Sequence, residues 1–385
     1  MGGFVNMSKH VLVVSPIPSH PQFQGNSARI YRLNRMFQLC GYQLHFVYFG
    51  MEGLSEEQRR QMESQWDFFH YIKPEGPAAA PSFGEYFDID DWYDERVSDL
   101  VDKLCQTWRF DVCLVNYVWF SKVLDVLPES TRKVIDTHDV FGDRHIVAKE
   151  AGLDPVWFYT TKELEAYALE RADLILAIQD EEKDYFKSIT TKAVEVMGYV
   201  VPFQPLISQE SDKVVIGYIG SGNPFNLESL RVFQSAVMKA PNIMQRYTFL
   251  LGGTVCKAFE PFNEIFDVIG IVDDLDEFYR QIDIAINPMI GGTGLKIKSL
   301  EALSYGKSLL ATQDAMVGIN GIDEFHNFST LESMVNALEA LTEERAEILH
   351  RNSIATFHSY NDRFINEFKS LFAEELCNQE DSSKR

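Results

Sequence analysis

The chain has 385 residues, more than one hydrophobic core usually serves, and its 45% hydrophobic and 13% aromatic content suits two packed domains rather than a disordered chain. A formal charge of −22, from 57 acidic against 35 basic residues, excludes non-specific binding to nucleic acid or to an anionic membrane by the protein as a whole. No apolar run reaches the roughly 18–20 residues that span a bilayer, and the N-terminus lacks the basic-then-apolar order of a signal peptide. A cytoplasmic protein is expected, at most peripheral at the inner face of a membrane.

Residues 1–7 read as dispensable, because the first strand begins only at about His10. His10-Val-Leu-Val-Val-Ser-Pro16 is a short β-branched run ended by a Pro-rich loop, the pattern of a buried parallel strand. From about Ser27 to Leu39 the apolar residues Ile30, Leu33, Met36 and Phe37 recur at helical spacing, and Gly41 caps the helix before a strand at 44–48. This β-α-β unit opens a doubly wound sheet. Arg29, Arg32 and Arg35 lie i, i+3, i+6 along the helix, which suits an anionic acceptor or lipid headgroups but suits a solvated face better. The stretch 85–102, acidic and set with Tyr86, Phe87, Trp92 and Tyr93, reads as a solvated loop placed to shape the way in for an acceptor. Further strands fit 112–116, 133–136 and 174–177, with helices at 97–108 and 160–171, so the first half is α/β.

The pattern breaks at 202–211, and Val214-Val-Ile-Gly-Tyr-Ile-Gly220 starts a second strand-to-glycine-loop series. Strands are predicted at 246–251, 266–269, 282–287 and 308–312. Phe364, Phe368, Leu371 and Phe372, at i, i+4, i+7 and i+8, predict an amphipathic helix in need of a partner surface. The domains are therefore set at 8–205 and 212–355, with a helix over 356–376 packing back on the first domain and a flexible tail at 378–385. The five cysteines, Cys40, Cys105, Cys113, Cys256 and Cys377, show no CxxC spacing and read as reduced thiols.

The stretch Asn287-Pro-Met-Ile-Gly-Gly-Thr-Gly-Leu-Lys-Ile-Lys-Ser-Leu-Glu301 carries the chemistry. Gly291, Gly292 and Gly294 crowd the turn between a strand and a helix at about 295–305, where bare backbone N–H groups and a helix N-terminus suit a phosphate. Lys298 and Glu301, three apart on one helical face, suit a diphosphate and a ribose. A Gly-rich turn with a surface Lys–Glu pair explains the spacing equally well. A second glycine turn, Gly217-Tyr-Ile-Gly-Ser-Gly-Asn-Pro-Phe-Asn226, is weak evidence taken alone.

In order along the chain, Ile216-Gly-Tyr-Ile-Gly-Ser221 with Pro224 and Asn226, Phe249-Leu-Leu-Gly-Gly253, Gly270 to Tyr279, Asp283-Ile-Ala-Ile-Asn-Pro288, and Gly292 to Lys307 resemble the retaining GT-B glycosyltransferases of family 4, group 1. The resemblance implies an α/β GT-B fold, two Rossmann-like doubly wound domains facing a central cleft. It implies a nucleotide-sugar donor whose diphosphate rests on Gly220, Ser221 and Asn226 and on the turn Gly291, Gly292, Thr293 and Gly294. Lys298 is then its cationic partner and Glu301 the ribose ligand. Many members carry an earlier glutamate where this chain has Thr293, so the sugar contacts are expected from backbone around Gly291–Thr293. In the first half, Gly25 corresponds to a glycine near the donor phosphates, and His138 in Asp136-Thr-His-Asp139 to a histidine facing the transferred sugar; a purely structural histidine is the alternative.

The implied reaction is retaining transfer by front-face attack, without a side-chain nucleophile, a cofactor or an obligatory metal. The acceptor is a glycan, a lipid-linked sugar or a protein, by analogy in bacterial surface-polysaccharide assembly or protein glycosylation. The rivals are a catalytically silent GT-B binding or partner subunit and a sugar-nucleotide epimerase.

Overall fold

A computed structural model describes residues 8–22, 24–150, 154–240, 242–291 and 295–373. The chain divides into two compact units, Met1–Val200 with Asn366–Arg385, and Val201–Ile365.

The first unit runs β1 (Lys9–Ser15), α1 (Gly25–Leu39), β2 (Tyr42–Phe49), α2 (Glu56–Gln65), β3 (Phe68–Ile72), α3 (Glu95–Thr107) and β4 (Val112–Asn116). A 3-10 segment at Val118–Val126 leads to β5 (Arg132–Asp136), α4 (Arg144–Glu150), α5 (Lys162–Leu169), β6 (Leu174–Ala177), α6 (Asp180–Ile189) and β7 (Ala193–Val196). The strands are parallel in the order β3-β2-β1-β4-β5-β6-β7, so growth of the sheet reverses between β1 and β4. Every residue of β4 and β6 is buried, which is why those stretches read as unbroken apolar runs. The sequence reading omitted β3 and β7. Both are edge strands, too short and too little buried to show a clear pattern.

The stretch 85–102 is a packed segment rather than a solvated loop. Phe87 and Ile89 are buried, and Asp90 takes a two-pronged contact from Arg171 at 2.7 and 2.8 Å. The arginine stripe is likewise corrected, because Arg29 is buried against Asp136 while Arg35 bonds Gln38 on the same helix.

The second unit runs β8 (Val214–Ile219), α7 (Pro224–Met238), α8 (Ile243–Arg246), β9 (Tyr247–Gly252), α9 (Val255–Phe259), β10 (Phe266–Gly270), α10 (Leu275–Gln281), β11 (Ile284–Asn287), α11 (Ile297–Ser304), β12 (Ser308–Ala311), α12 (Leu331–Glu339) and α13 (Glu343–Phe372). Its parallel sheet has the order β10-β9-β8-β11-β12, reversing between β8 and β11. Ile216, Phe233, Phe249, Leu251 and Leu310 lie in its core. In such sheets ligands sit outside the carboxyl ends of the strands at the reversal.

Helix α13 begins at Glu343, ahead of the predicted 356; the tail at 378–385 lies outside the described residues. It starts in the second unit and ends in the first. There Phe368 and Phe372 pack on Phe37 with ring centres 4.8 and 4.9 Å apart. The open carbonyls of its last turn are answered by Tyr42, which donates to Phe372 at 2.8 Å, and by Arg132, which donates to Leu371.

Phe368→Ala removes a ring that is 1% exposed and should cost about 3–5 kcal/mol, read as a lowered urea midpoint. An unchanged midpoint would show that the helix end is not part of the core.

Two histidines from neighbouring strands, His10 and His45, meet Trp108, and Nδ1 of His10 lies 3.2 Å from Nε2 of His45, whose ring is 6.0 Å from that of His70. Burial lowers the pKa of His45 to about 3 and lowers that of His70 as well. Their folded pKa values lie below the unfolded value near 6.5, so the stability that depends on neutral rings is present above that pH and lost as pH falls toward the folded value. Thermal midpoints measured from pH 7 to 4 should fall less steeply for His45→Leu than for the parent chain. Equal slopes would remove His45 from the acid response.

Candidate functional site

At the reversal in the second unit, the loops leaving β8 and β11 gather the candidate residues. The Gly220 amide donates to the Gly252 carbonyl at 3.1 Å. A side chain on Gly220 would meet the Tyr218 hydroxyl at 2.7 Å, and one on Gly253, at φ +94°, would strike the Gly220 carbonyl at 2.3 Å. Only bare backbone fits at both positions. Asn223 caps α7 by accepting from the Asn226 amide at 2.9 Å, and Asn226 Nδ2 donates to the Ser221 carbonyl at 2.7 Å. Gly220 and Ser221 are thereby held just ahead of a helix N-terminus, which carries partial positive charge.

Lys298, in the first turn of α11, donates to the Tyr218 hydroxyl at 3.0 Å and to Asn226 Oδ1 at 2.9 Å. These two bonds use two of its three N–H donors among the described residues. Burial lowers its pKa to about 8, with Glu301 opposing and Lys296 reinforcing. Tyr218 and Asn226 link Lys298 to Gly220 and Ser221, so two stretches of sequence more than 70 positions apart meet here.

Glu301 accepts at Oε1 from the Tyr279 hydroxyl at 2.9 Å. The Tyr279 ring stacks on Tyr305 at 4.1 Å, and the Tyr305 hydroxyl donates to Asp276 at 3.0 Å. Burial raises the pKa of Glu301 to about 7, against the pull of Tyr279 and Lys298. Upstream, the backbone of 289–291 is pinned from three directions. Thr312 Oγ1 donates to the Met289 carbonyl at 2.5 Å, the Ile290 amide to Ser229 Oγ at 2.9 Å, and the Gly291 amide to Asp314 at 2.6 Å. Gly292, Thr293 and Gly294 lie outside the described residues. The sequence reading missed Tyr218, Tyr279, Tyr305 and Asp314, because a tyrosine in an apolar run reads as core until the partner of its hydroxyl is known.

In the first unit, the loops after β4 and β5 hold His138. Its Nε2 lies 2.9 Å from Asn116 Oδ1 and 3.2 Å from Asp136 Oδ2, and its ring stacks on Tyr117 at 4.2 Å. The hydroxyl of Tyr117 bonds Asn26. Gly25 is the first residue of α1, ahead of the predicted helix start at Ser27, and it is exposed. Burial lowers the pKa of His138 to about 4, Asp136 opposing and Arg29 reinforcing. Among the described residues, no group of three or more His, Cys, Asp or Glu is placed to hold a metal ion, and no helix is long and apolar enough to cross a membrane.

Residues 213–348 match the family model of glycosyl transferases, group 1. The second unit is a group 1 glycosyltransferase domain. No curated protein matches the chain in sequence. Solved glycosyltransferase structures share the fold of both units. Sucrose-phosphate synthase from Thermosynechococcus elongatus aligns with a TM-score of 0.63 at 12% identity, over 94% of this chain and 98% of that one. A TarM variant from S. aureus aligns with a TM-score of 0.63 at 10% identity, over 96% and 100%. HepE from Anabaena in complex with UDP aligns with a TM-score of 0.60 at 12% identity, over 94% and 100%. The chain is thus an α/β protein of two Rossmann-like domains with the GT-B fold.

The pKa values of Glu301 and Lys298 give a test of whether these groups meet a ligand. An anionic, hydroxyl-bearing ligand favours the Glu301 carboxylate and the Lys298 ammonium. The ratio of parent to Glu301→Gln affinity for a nucleoside diphosphate should therefore rise as pH passes upward through about 7. The ratio to Lys298→Met should fall as pH rises through about 8. Titration of the phosphate cancels in each ratio, and flat calorimetric ratios would separate these groups from the ligand.

Proposed function

We propose that this glycosyltransferase retains anomeric configuration and takes its sugar from a nucleoside-diphosphate donor held by Lys298, Glu301, Gly220, Ser221 and the turn at Gly291. The observation that carries the reading is the convergence of a half-buried lysine and glutamate, each held by a tyrosine hydroxyl, on bare backbone at the sheet reversal of a group 1 domain. HepE, a structural neighbour, is solved with UDP-glucose as well as UDP, which makes uridine nucleotides the first probes to try.

In this reaction the acceptor oxygen forms a bond to the anomeric carbon on the face from which the diphosphate departs, and the acceptor proton passes to the leaving phosphate oxygen. No side-chain nucleophile is needed. Lys298 and the backbone amides stabilise the charge that grows on the leaving group. Because a cation already stands at the site, no obligatory metal or cofactor is required. His138 is assigned to the sugar rather than to the nucleotide. The acceptor is a glycan, a lipid-linked sugar or a protein on the cytoplasmic side, with bacterial surface glycans or glycoproteins as the products by analogy.

A panel of sugar nucleotides, followed for slow release of free nucleotide, names the donor and separates an enzyme from a silent binder. Binding without turnover for every donor and acceptor tried would favour the binder. Glu301→Ala should weaken nucleoside-diphosphate binding by about 1.5–3 kcal/mol, roughly 10- to 100-fold in Kd. Turnover should survive EDTA; loss with chelator, restored by magnesium or manganese, would overturn the metal-free mechanism.

A further inference from the structure

The segment between β3 and α3 leaves the carboxyl end of the first sheet and, with the end of β2, lines a cavity of about 270 Å³. All of the lining belongs to the first unit. Phe49, the last residue of β2, is buried there, and Met51, Trp92 and Tyr93 are half-buried. The lining also takes in the exposed run Gly76-Pro-Ala-Ala79, to which the Trp92 indole is tied, Nε1 donating to the Ala79 carbonyl at 3.1 Å. Edge-on contacts with Phe87, Trp119 and Phe158, at ring-centre distances of 5.2, 5.4 and 5.3 Å, fix the Trp92 ring. Tyr93 is fixed by its hydroxyl, 2.6 Å from Ser98 Oγ, and by the ring of Phe120. Two aromatic surfaces are thus ordered before any ligand arrives, which lowers the entropy lost on binding.

The charged side chains of the lining are Glu75, Asp91 and Asp94, all of them acids. The adjoining Arg96 is already shared, its Nε donating to Asp94 Oδ1 and its Nη1 to Glu75 Oε1, both at 2.9 Å. Lys122, whose ammonium stands 5.9 Å from the centre of the Tyr93 ring, is paired with Glu95. A phosphate or uronate placed here would meet like charge, and both of these cations already hold acidic partners. A hydroxyl or an ammonium donates hydrogen bonds, which is what a carboxylate accepts. A sugar ring combines a C–H face that packs on aromatic rings with a rim of hydroxyls. The cavity falls just below the roughly 300–1,000 Å³ of drug-sized sites, which suits one such ring.

Ring contacts connect the cavity to the loops after β4 and β5. Trp92 meets Trp119 at 5.4 Å, Trp119 stacks on Tyr117 at 5.0 Å, and Tyr117 stacks on His138 at 4.2 Å. The cavity is three ring spacings from His138, at the same end of the sheet. A unit beside the reacting one in an extended acceptor would fall at such a distance.

We propose that this cavity is an acceptor subsite that takes an uncharged or amine-bearing sugar unit and turns away units carrying phosphate or uronate. The inference rests on the glycosyl-transfer reading and narrows its acceptor class.

The full chain is probed by saturation-transfer NMR with three trisaccharides: maltotriose as the uncharged probe, the chitosan trimer as the amine and trigalacturonate as the uronate. The first two should receive saturation, strongest at ring C–H protons, and trigalacturonate should not. No transfer to either of the first two, or a preference for the uronate, overturns the proposal. Ala78→Trp, at an exposed position, fills the cavity and should abolish the signal with the thermal midpoint unchanged. A persisting signal would put the sugar elsewhere and overturn the assignment. Glu75→Lys changes a side chain that is 82% exposed, so it keeps the test open if the tryptophan variant does not fold. It should improve trigalacturonate binding relative to maltotriose by roughly 3- to 10-fold, and an unchanged ratio would overturn selection by charge. Nucleoside-diphosphate affinity is measured beside these. Trisaccharide binding without nucleotide binding would sink the glycosyl-transfer reading and leave a sugar site, whereas nucleotide binding without trisaccharide binding would sink this proposal alone.

Discussion

Arg29 and Asp136 are both out of water, and their mutual contact is what makes that placement tolerable. Transferring either ion alone to the interior costs several kcal/mol, and only a geometry that uses nearly every donor and lone pair offsets the loss. Here the guanidinium spans both carboxylate oxygens and spends its remaining reach on backbone carbonyls at 197 and 198. The pair thereby ties α1 to the ends of β5 and β7, and the loop carrying His138 is shaped around it. The left-handed backbone at Tyr117 and at His138, φ +74° and +62°, is held by this enclosure.

The second unit handles its charges differently. Lys298 and Glu301 stand three apart on α11 and influence one another, yet neither relies on the other as its hydrogen-bond partner among the described contacts. Each is held by a tyrosine hydroxyl, which accepts from the ammonium at Tyr218 and donates to the carboxylate at Tyr279. A neutral partner orients without neutralising. The two charges therefore remain available to a ligand, at the cost of pKa values drawn toward neutrality by lost solvation.

Much of this architecture was legible before any coordinates, because buried parallel strands such as 112–116 and 174–177 are continuous apolar runs, and glycines at 220 and 253 mark the carboxyl ends of β8 and β9. The candidate lysine and glutamate of the second unit were legible as well, because they stand three apart on one helix. What could not be read was whatever depends on pairing across long separations. Arg29 looked like one tooth of a charged stripe, since nothing local announces an aspartate 107 positions later. Asp90 and Arg171, 81 apart, hid the packing of the acidic stretch in the same way. The edge strands β3 and β7 were lost because a strand buried on fewer sides carries a weaker pattern.

Helix α13 sets an order on how the chain can be built. Phe37 and Tyr42 leave the ribosome long before the rings and carbonyl they pack against, at Phe368 and Phe372, which come some 330 positions later. During vectorial synthesis a leading domain ordinarily folds while its successor is still being made. Here the sheet of the first unit must wait with an apolar groove uncovered until α13 has emerged. The first sheet is therefore closed only after the second has been made, and a chain that stalls late in α13 carries a complete second core beside an open first one.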